Sequence, residues 1–164
     1  MSRTVPVYKR KSRKSDMNMN MLGKSGETLV SNFLQREGWL VETSVDQYDN
    51  KQDMKASRDD VEVTVEVKTQ QPWHYQNAFT VKYNQLQKCL DVDALIFVET
   101  PSKQNGYTVR MWNASKRDYF TSKTRDGRTM YCFDIADMDL METYDDFKTV
   151  NNFKRFSNSE WSGQ

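Results

Sequence analysis

The ten residues VEVTVEVKTQ, Val61 to Gln70, alternate valine with a polar residue as far as Lys68. Strict alternation is the pattern of a half-buried strand, with one face in a core and the other in water. The polar face has two readings. Glu62, Thr64, Glu66 and Lys68 are either a plain solvated surface, or Glu66 and Lys68 form a working pair. Residues two apart on a strand project from the same face, so a carboxylate and an ammonium are available side by side.

The segment before the strand offers it a partner. If SRDD, residues 57–60, is the connection of an antiparallel hairpin, position 56 faces 61, 54 faces 63 and 53 faces 64. Directly opposed residues share a face of the sheet. Asp53 then points the same way as Thr64, Glu66 and Lys68, while Met54 and Ala56 join the valines. Burial pattern and register agree on both strands, as a correct pairing requires. Asp53 and Glu66 become diagonal neighbours, and two converging carboxylates repel unless a cation lies between them. Mg²⁺ suits such a pair, because it is commonly held by one or two carboxylates with phosphate oxygens and water. Lys55 faces Glu62 as an ordinary cross-strand ion pair. Changing the turn length by one residue would move Asp53 to the core face.

Around the hairpin, the apolar stripe Leu29, Val30, Phe33 and Leu34 predicts a helix over 26–37, capped by Ser25 and ended by Gly38. WLVET predicts a strand over 39–43. KYNQLQKCLD predicts a helix over 82–91, and ALIFVE a strand over 94–99 buried on both faces. Further strands are expected over 106–114 and 127–135, with a polar connection between them and a short helix over 137–147. The expected fold class is α/β, a mixed central β-sheet flanked by helices.

The chain has 164 residues, 37% hydrophobic and 29% charged, enough for one domain with a real core. The expected organisation is a basic arm over 1–20, a single domain over 21–150 and a polar tail over 151–164. Arg3, Lys9, Arg10, Lys11, Arg13 and Lys14 give the arm a charge suited to a polyanion such as nucleic acid. A solubilising tail is the alternative. The longest apolar runs are too short to span a bilayer, and the basic N-terminus lacks the apolar core of a secretory signal. Cys89 and Cys132 stand far apart, and His74 is the single histidine, so neither a zinc site nor a His-cluster metal site is supported. An intracellular, cytoplasmic location is expected.

Asp53, a twelve-residue gap and then EVK at 66–68 resembles the signature of the PD-(D/E)XK nuclease superfamily, an Asp, a variable spacer and Asp/Glu-x-Lys. Its small Holliday-junction-resolvase-like branch is the nearest in size and layout. Glu27, on the helix before the strands, takes the place of the acidic residue such nucleases often carry there. The resemblance covers roughly residues 23–99 and implies a restriction-endonuclease-like core, αβββαβ. It implies a Mg²⁺-dependent DNA endonuclease, with Mn²⁺ as a substitute, acting on branched or structured DNA. Asp53 and Glu66 would ligate the ion with the carbonyl of Val67, and Lys68 would orient or deprotonate the attacking water. Glu27 would act through water or hold a second ion. Arg10, Lys11, Gln70, His74, Tyr75 and Lys82 are candidate DNA contacts, with Lys88, Lys116 and Arg117 as less specific ones. A homodimer is a further expectation from the resemblance. Gln52 departs from the signature's Pro, and Asp46 and Asp49 are rival first carboxylates. The alternative function is an inactive nucleic-acid-binding or assembly module on the same fold.

Overall fold

The computed structural model describes residues 23–43 and 54–147. The basic arm with Arg10 and Lys11, the tail over 151–164, Asp53, and its rivals Asp46 and Asp49 lie outside the described residues.

Helix α1 covers residues 23–36. Leu29 and Val30 are buried, with Phe33 and Leu34 packed on the same apolar cluster. The helix already contains Ser25, so that residue is not the cap expected of it. The end is as expected. Gly38 adopts φ 93°, where a side chain would be strained. The Trp39 N–H donates to the Leu34 carbonyl at 2.9 Å and the Gly38 N–H to Gln35 at 3.0 Å, the pair of bonds that closes a helix at a left-handed glycine.

Strands β1 (Leu40–Thr43), β2 (Met54–Arg58) and β3 (Val61–Gln70) follow, paired antiparallel in that order. The β2–β3 turn is shorter than the sequence reading has it. Only Asp59 and Asp60 turn the chain, at φ 51° and 66°. Two consecutive positive φ values match the twist of a tight hairpin, and Asp tolerates them better than most residues. The pairs are therefore Ala56 with Val63 and Met54 with Val65, not 56 with 61 and 54 with 63. The register moves by two residues. Since side chains alternate with period two, every described residue of the hairpin stays on its expected face. Lys55 sits opposite Thr64 and reaches Glu62 diagonally, at 4.0 Å.

After β3 come β4 (Ala78–Val81), α2 (Tyr83–Asp91) and β5 (Ala94–Glu99). Strand β5 lies parallel to β3, with Leu95 beside Glu66, Phe97 beside Lys68 and Glu99 beside Gln70. It is continuously apolar from Ala94 to Val98 because both its faces are covered. Ile96 and Val98 join Val65 and Val67 in the cluster under α1, while Leu95 and Phe97 join Leu86 and Cys89 in a second cluster under α2. Strands β6 (Val109–Asn113) and β9 (Asp139–Tyr144) complete a six-stranded mixed sheet, β1-β2-β3-β5-β6-β9. Strands β7 (Phe120–Lys123) and β8 (Thr129–Asp134) form a second, three-stranded sheet with β4, in the order β4-β8-β7. The ring of Phe79 from β4 stacks on Phe97 at 4.7 Å and joins the two sheets.

Several expected elements are corrected. The strands expected over 106–114 and 127–135 begin at Val109 and Thr129, because Gly106, Tyr107 and Gly127 have positive φ and cannot enter a ladder. The polar connection between them contains β7, which pairs with β8. The helix expected over 137–147 is strand β9. Its hydrogen bonds to β6 outweigh the local helical preference of Met and Glu, and its acidic residues suit an edge strand that must not pair further. Among the described residues no helix is long and apolar enough to cross a membrane.

Candidate active site

The two faces of β3 meet different layers. Val65 and Val67 are buried under α1, whereas Glu66 and Lys68 point toward α2. Glu66 is 0% exposed. Taking a carboxylate out of water costs several kcal/mol unless cations and donors replace the lost hydration. Two ammoniums do so here. Lys68 Nζ stands 2.9 Å from Glu66 Oε2, and Lys88 Nζ, from α2, stands 3.1 Å from Oε1. Lys68 also donates to Gln85 Oε1 at 2.6 Å. Gln85 and Lys88 are three residues apart on α2, the spacing that puts two side chains on one helix face. Leu86 and Cys89, next along the helix, anchor it to the sheet. Burial pushes the Cys89 thiol up to about 11, against the opposing pull of the nearby lysines.

Helix α1 approaches β3 from the valine side. Gly26 lies so close to the Thr69 hydroxyl that no Cβ fits there, and Glu27 is the next residue, half-buried. Glu27 thus comes from the layer opposite the one that covers Glu66. Val67 contributes a side chain 6% exposed to the α1 cluster. Gln70 shares the face of Lys68, but its amide is engaged as a piece of strand. Its Nε2 donates to the Thr80 carbonyl at 2.9 Å, and its Oε1 accepts from the Thr80 N–H at 2.9 Å. His74 and Tyr75 occupy the tip of a tight loop closed by Trp73 and Ala78, with Tyr75 92% exposed. Lys82 is exposed at the N-cap of α2.

Of the wider set of basic candidates, Arg117 has another task. Its guanidinium donates to the carbonyls of Cys89, Val92, Asp93 and Ala114, closing the C-terminal end of α2. Burial lowers its pKa from the usual value. Lys88 is not a surface contact but a partner of Glu66. Sequence reasoning missed that role and the role of Gln85. The signal was present as a polar stripe beside the apolar one on α2, but nothing local says which strand the stripe meets.

The structure therefore brings together Glu66 and Lys68 from the expected set and adds Lys88 and Gln85. Among the described residues, no group of three or more His, Cys, Asp or Glu converges to hold a metal. A cavity of about 310 Å³ opens on the other side of the sheet, lined in part by Phe33, Trp39, Val63, Ile96 and Met141, and no candidate residue lines it. No protein-family model matches the chain, and no curated protein matches its sequence.

Proposed function

We propose that this protein is a Mg²⁺-dependent nuclease that hydrolyses phosphodiester bonds in DNA, with branched or structured DNA as its substrate and a homodimer as its working form. The observation that carries the reading is the fully buried Glu66 carboxylate with the Lys68 ammonium 2.9 Å away on the same strand face. A carboxylate-x-lysine pair sunk beneath a helix is more than a solvated surface needs. The order α1, β1, β2, β3, α2, β5, with β5 parallel to β3, is compatible with the αβββαβ core of PD-(D/E)XK nucleases, β4 being an insertion.

The donor chemistry fits a hard divalent cation: a buried anionic oxygen on Glu66 and the carbonyl of Val67, with Asp53 as second carboxylate. When bound, Mg²⁺ supplies Lewis-acid polarisation of a phosphoryl oxygen. Lys68, held by Glu66 and Gln85, is positioned to orient water and to stabilise developing negative charge. His74, Tyr75 and Lys82 offer exposed contacts to DNA, while Gln70 shapes the site through Thr80 rather than touching substrate.

A second reading rests on a specific observation. Both Glu66 oxygens face ammoniums, which equally suits a closed ion-pair core in a non-catalytic nucleic-acid-binding module. Incubating the full chain with supercoiled plasmid, branched DNA and RNA in Mg²⁺ or Mn²⁺ separates the two. Cleavage that falls by about 10²-fold or more in Lys68→Ala and Asp53→Ala, with DNA binding retained, is the expected outcome. Pure wild-type protein that binds DNA and leaves every substrate intact would establish the module instead.

A further inference from the structure

Three tyrosine rings stand in a row outside the site described above. Tyr83 opens α2, Tyr131 lies on β8, and Tyr119 immediately precedes β7. The ring of Tyr131 is 5.9 Å from that of Tyr83 and 5.8 Å from that of Tyr119, centroid to centroid, so it is the middle member. Tyr131 is half-buried against the apolar cluster under α2, and Tyr119 leans on the buried Phe133 at 6.3 Å. The row therefore has its base in the core. Its other side is in water, with Tyr83 76% and Tyr119 43% exposed.

Packing accounts for Tyr131 but not for the outer two. An isolated exposed aromatic is ordinary on any surface, whereas adjacent ones anchored on a core make a contiguous patch. The neighbouring rings are inclined at 47° and 65°, so none lies flat on the next and ring faces stay open to a flat partner. Cations flank the row. Lys82 is exposed beside Tyr83, and Lys123 on β7 pairs with Thr129, which shares a face of β8 with Tyr131. Lys116 and Arg125 are exposed on the same stretch, 116–128, where Asp118 is an exposed carboxylate against them and Asp126 is bound by Arg128. Aromatic faces between cations suit a polyanion that carries flat rings. In a duplex those rings are hidden in the base stack, so an unpaired strand is the form that can use them.

We propose that Tyr83, Tyr131 and Tyr119 form a stacking platform for an unpaired DNA strand, with Lys82 and Lys123 holding its phosphates. The choice of DNA rests on the nuclease reading above, but the platform itself needs neither metal nor cleavage. Its place deepens that reading. Tyr83 stands two residues before Gln85, which holds Lys68 at 2.6 Å. A base seated on Tyr83 brings its strand to the helix that covers Glu66. The substrate then carries an unpaired stretch next to the bond to be cut, a narrower class than branched or structured DNA.

Fluorescence anisotropy on the full chain without metal tests this, using a labelled oligothymidylate of about 16 nucleotides and a blunt duplex of equal length. The wild type is expected to bind the single strand more tightly than the duplex. Tyr83→Ala should weaken single-strand binding about tenfold and leave duplex binding unchanged, while Tyr83→Trp, which keeps an aromatic face, retains it. Lys123→Gln should lower the slope of log affinity against log salt by about 0.7, as the loss of one phosphate contact requires. Equal single-strand affinity in wild type and Tyr83→Ala overturns the inference and leaves the nuclease reading standing. So does a changed sedimentation coefficient in Tyr83→Ala with oligothymidylate binding intact, which would assign the row to a contact between copies. A wild-type chain that neither binds nor cleaves any DNA overturns both. Should Tyr119→Ala, expected to act in the same direction, fail to fold, the largely exposed Tyr83 decides alone.

Discussion

Two carboxylates are buried on the same face of adjacent parallel strands, and the protein satisfies them in opposite ways. Glu66 on β3 is compensated by the ammoniums of Lys68 and Lys88. Glu99 on β5, 4% exposed, is held by neutral donors, the Asn105 amide at 2.7 Å and the Trp112 indole at 2.9 Å. Asn105 is itself fixed, since its Oδ1 accepts from the backbone of Ser102 and Thr108 and its amide also reaches the Thr100 carbonyl. Glu99 thus anchors a loop through short, rigid groups. Glu66 is compensated instead by the charged ends of two long side chains, one from its own strand and one from α2.

Charge removal should tell the two apart. Glu66→Gln leaves two partly buried ammoniums facing a neutral amide, and a loss of about 3–5 kcal/mol in urea unfolding is expected. Glu99→Gln keeps an acceptor for one of its two donors and should cost less, about 1–3 kcal/mol. Equal losses would remove the distinction between the sites. A smaller effect lies beneath Glu66, at Cys89. Its thiol is raised from the usual 9.0 to about 11, so the folded state holds a proton that the unfolded chain releases first. The resulting stability is present below pH 9 and declines as the pH rises toward about 11. Cys89→Ala should flatten that part of the profile. An unchanged alkaline slope would mean that the thiol is not in the desolvated layer that also encloses Glu66.

How much of this was legible in the chain differs from element to element. The alternation of 61–68 and the apolar stripe of α1 are local periodicities, and each appears where expected. The hairpin turn is shorter than its sequence implies, because Arg58 and Ser57 look like turn residues but pair with Val61 and Glu62. The faces are unaffected, since a shift of two residues preserves them. The sequence of β9 prefers a helix, and only the open edge of β6 makes it a strand. For Gln70 the sequence leaves open a contact to DNA or a hydrogen-bonding role at the sheet edge, because an exposed amide and one bound to Thr80 look identical in sequence; its amide is bonded to Thr80.

By itself, the sequence determined that Glu66 and Lys68 share a face and that this face is opposite the valines. The reason is covalent: successive side chains of a strand alternate, whatever lies around them. Only the tertiary structure decided that this polar face is buried at Glu66, and that Lys88 closes it there from a helix 22 positions further along. Such a contact depends on how α2 crosses back over the sheet, which is set by the packing of Leu86, Cys89, Leu95 and Phe97 together and is written in no local stretch of the chain.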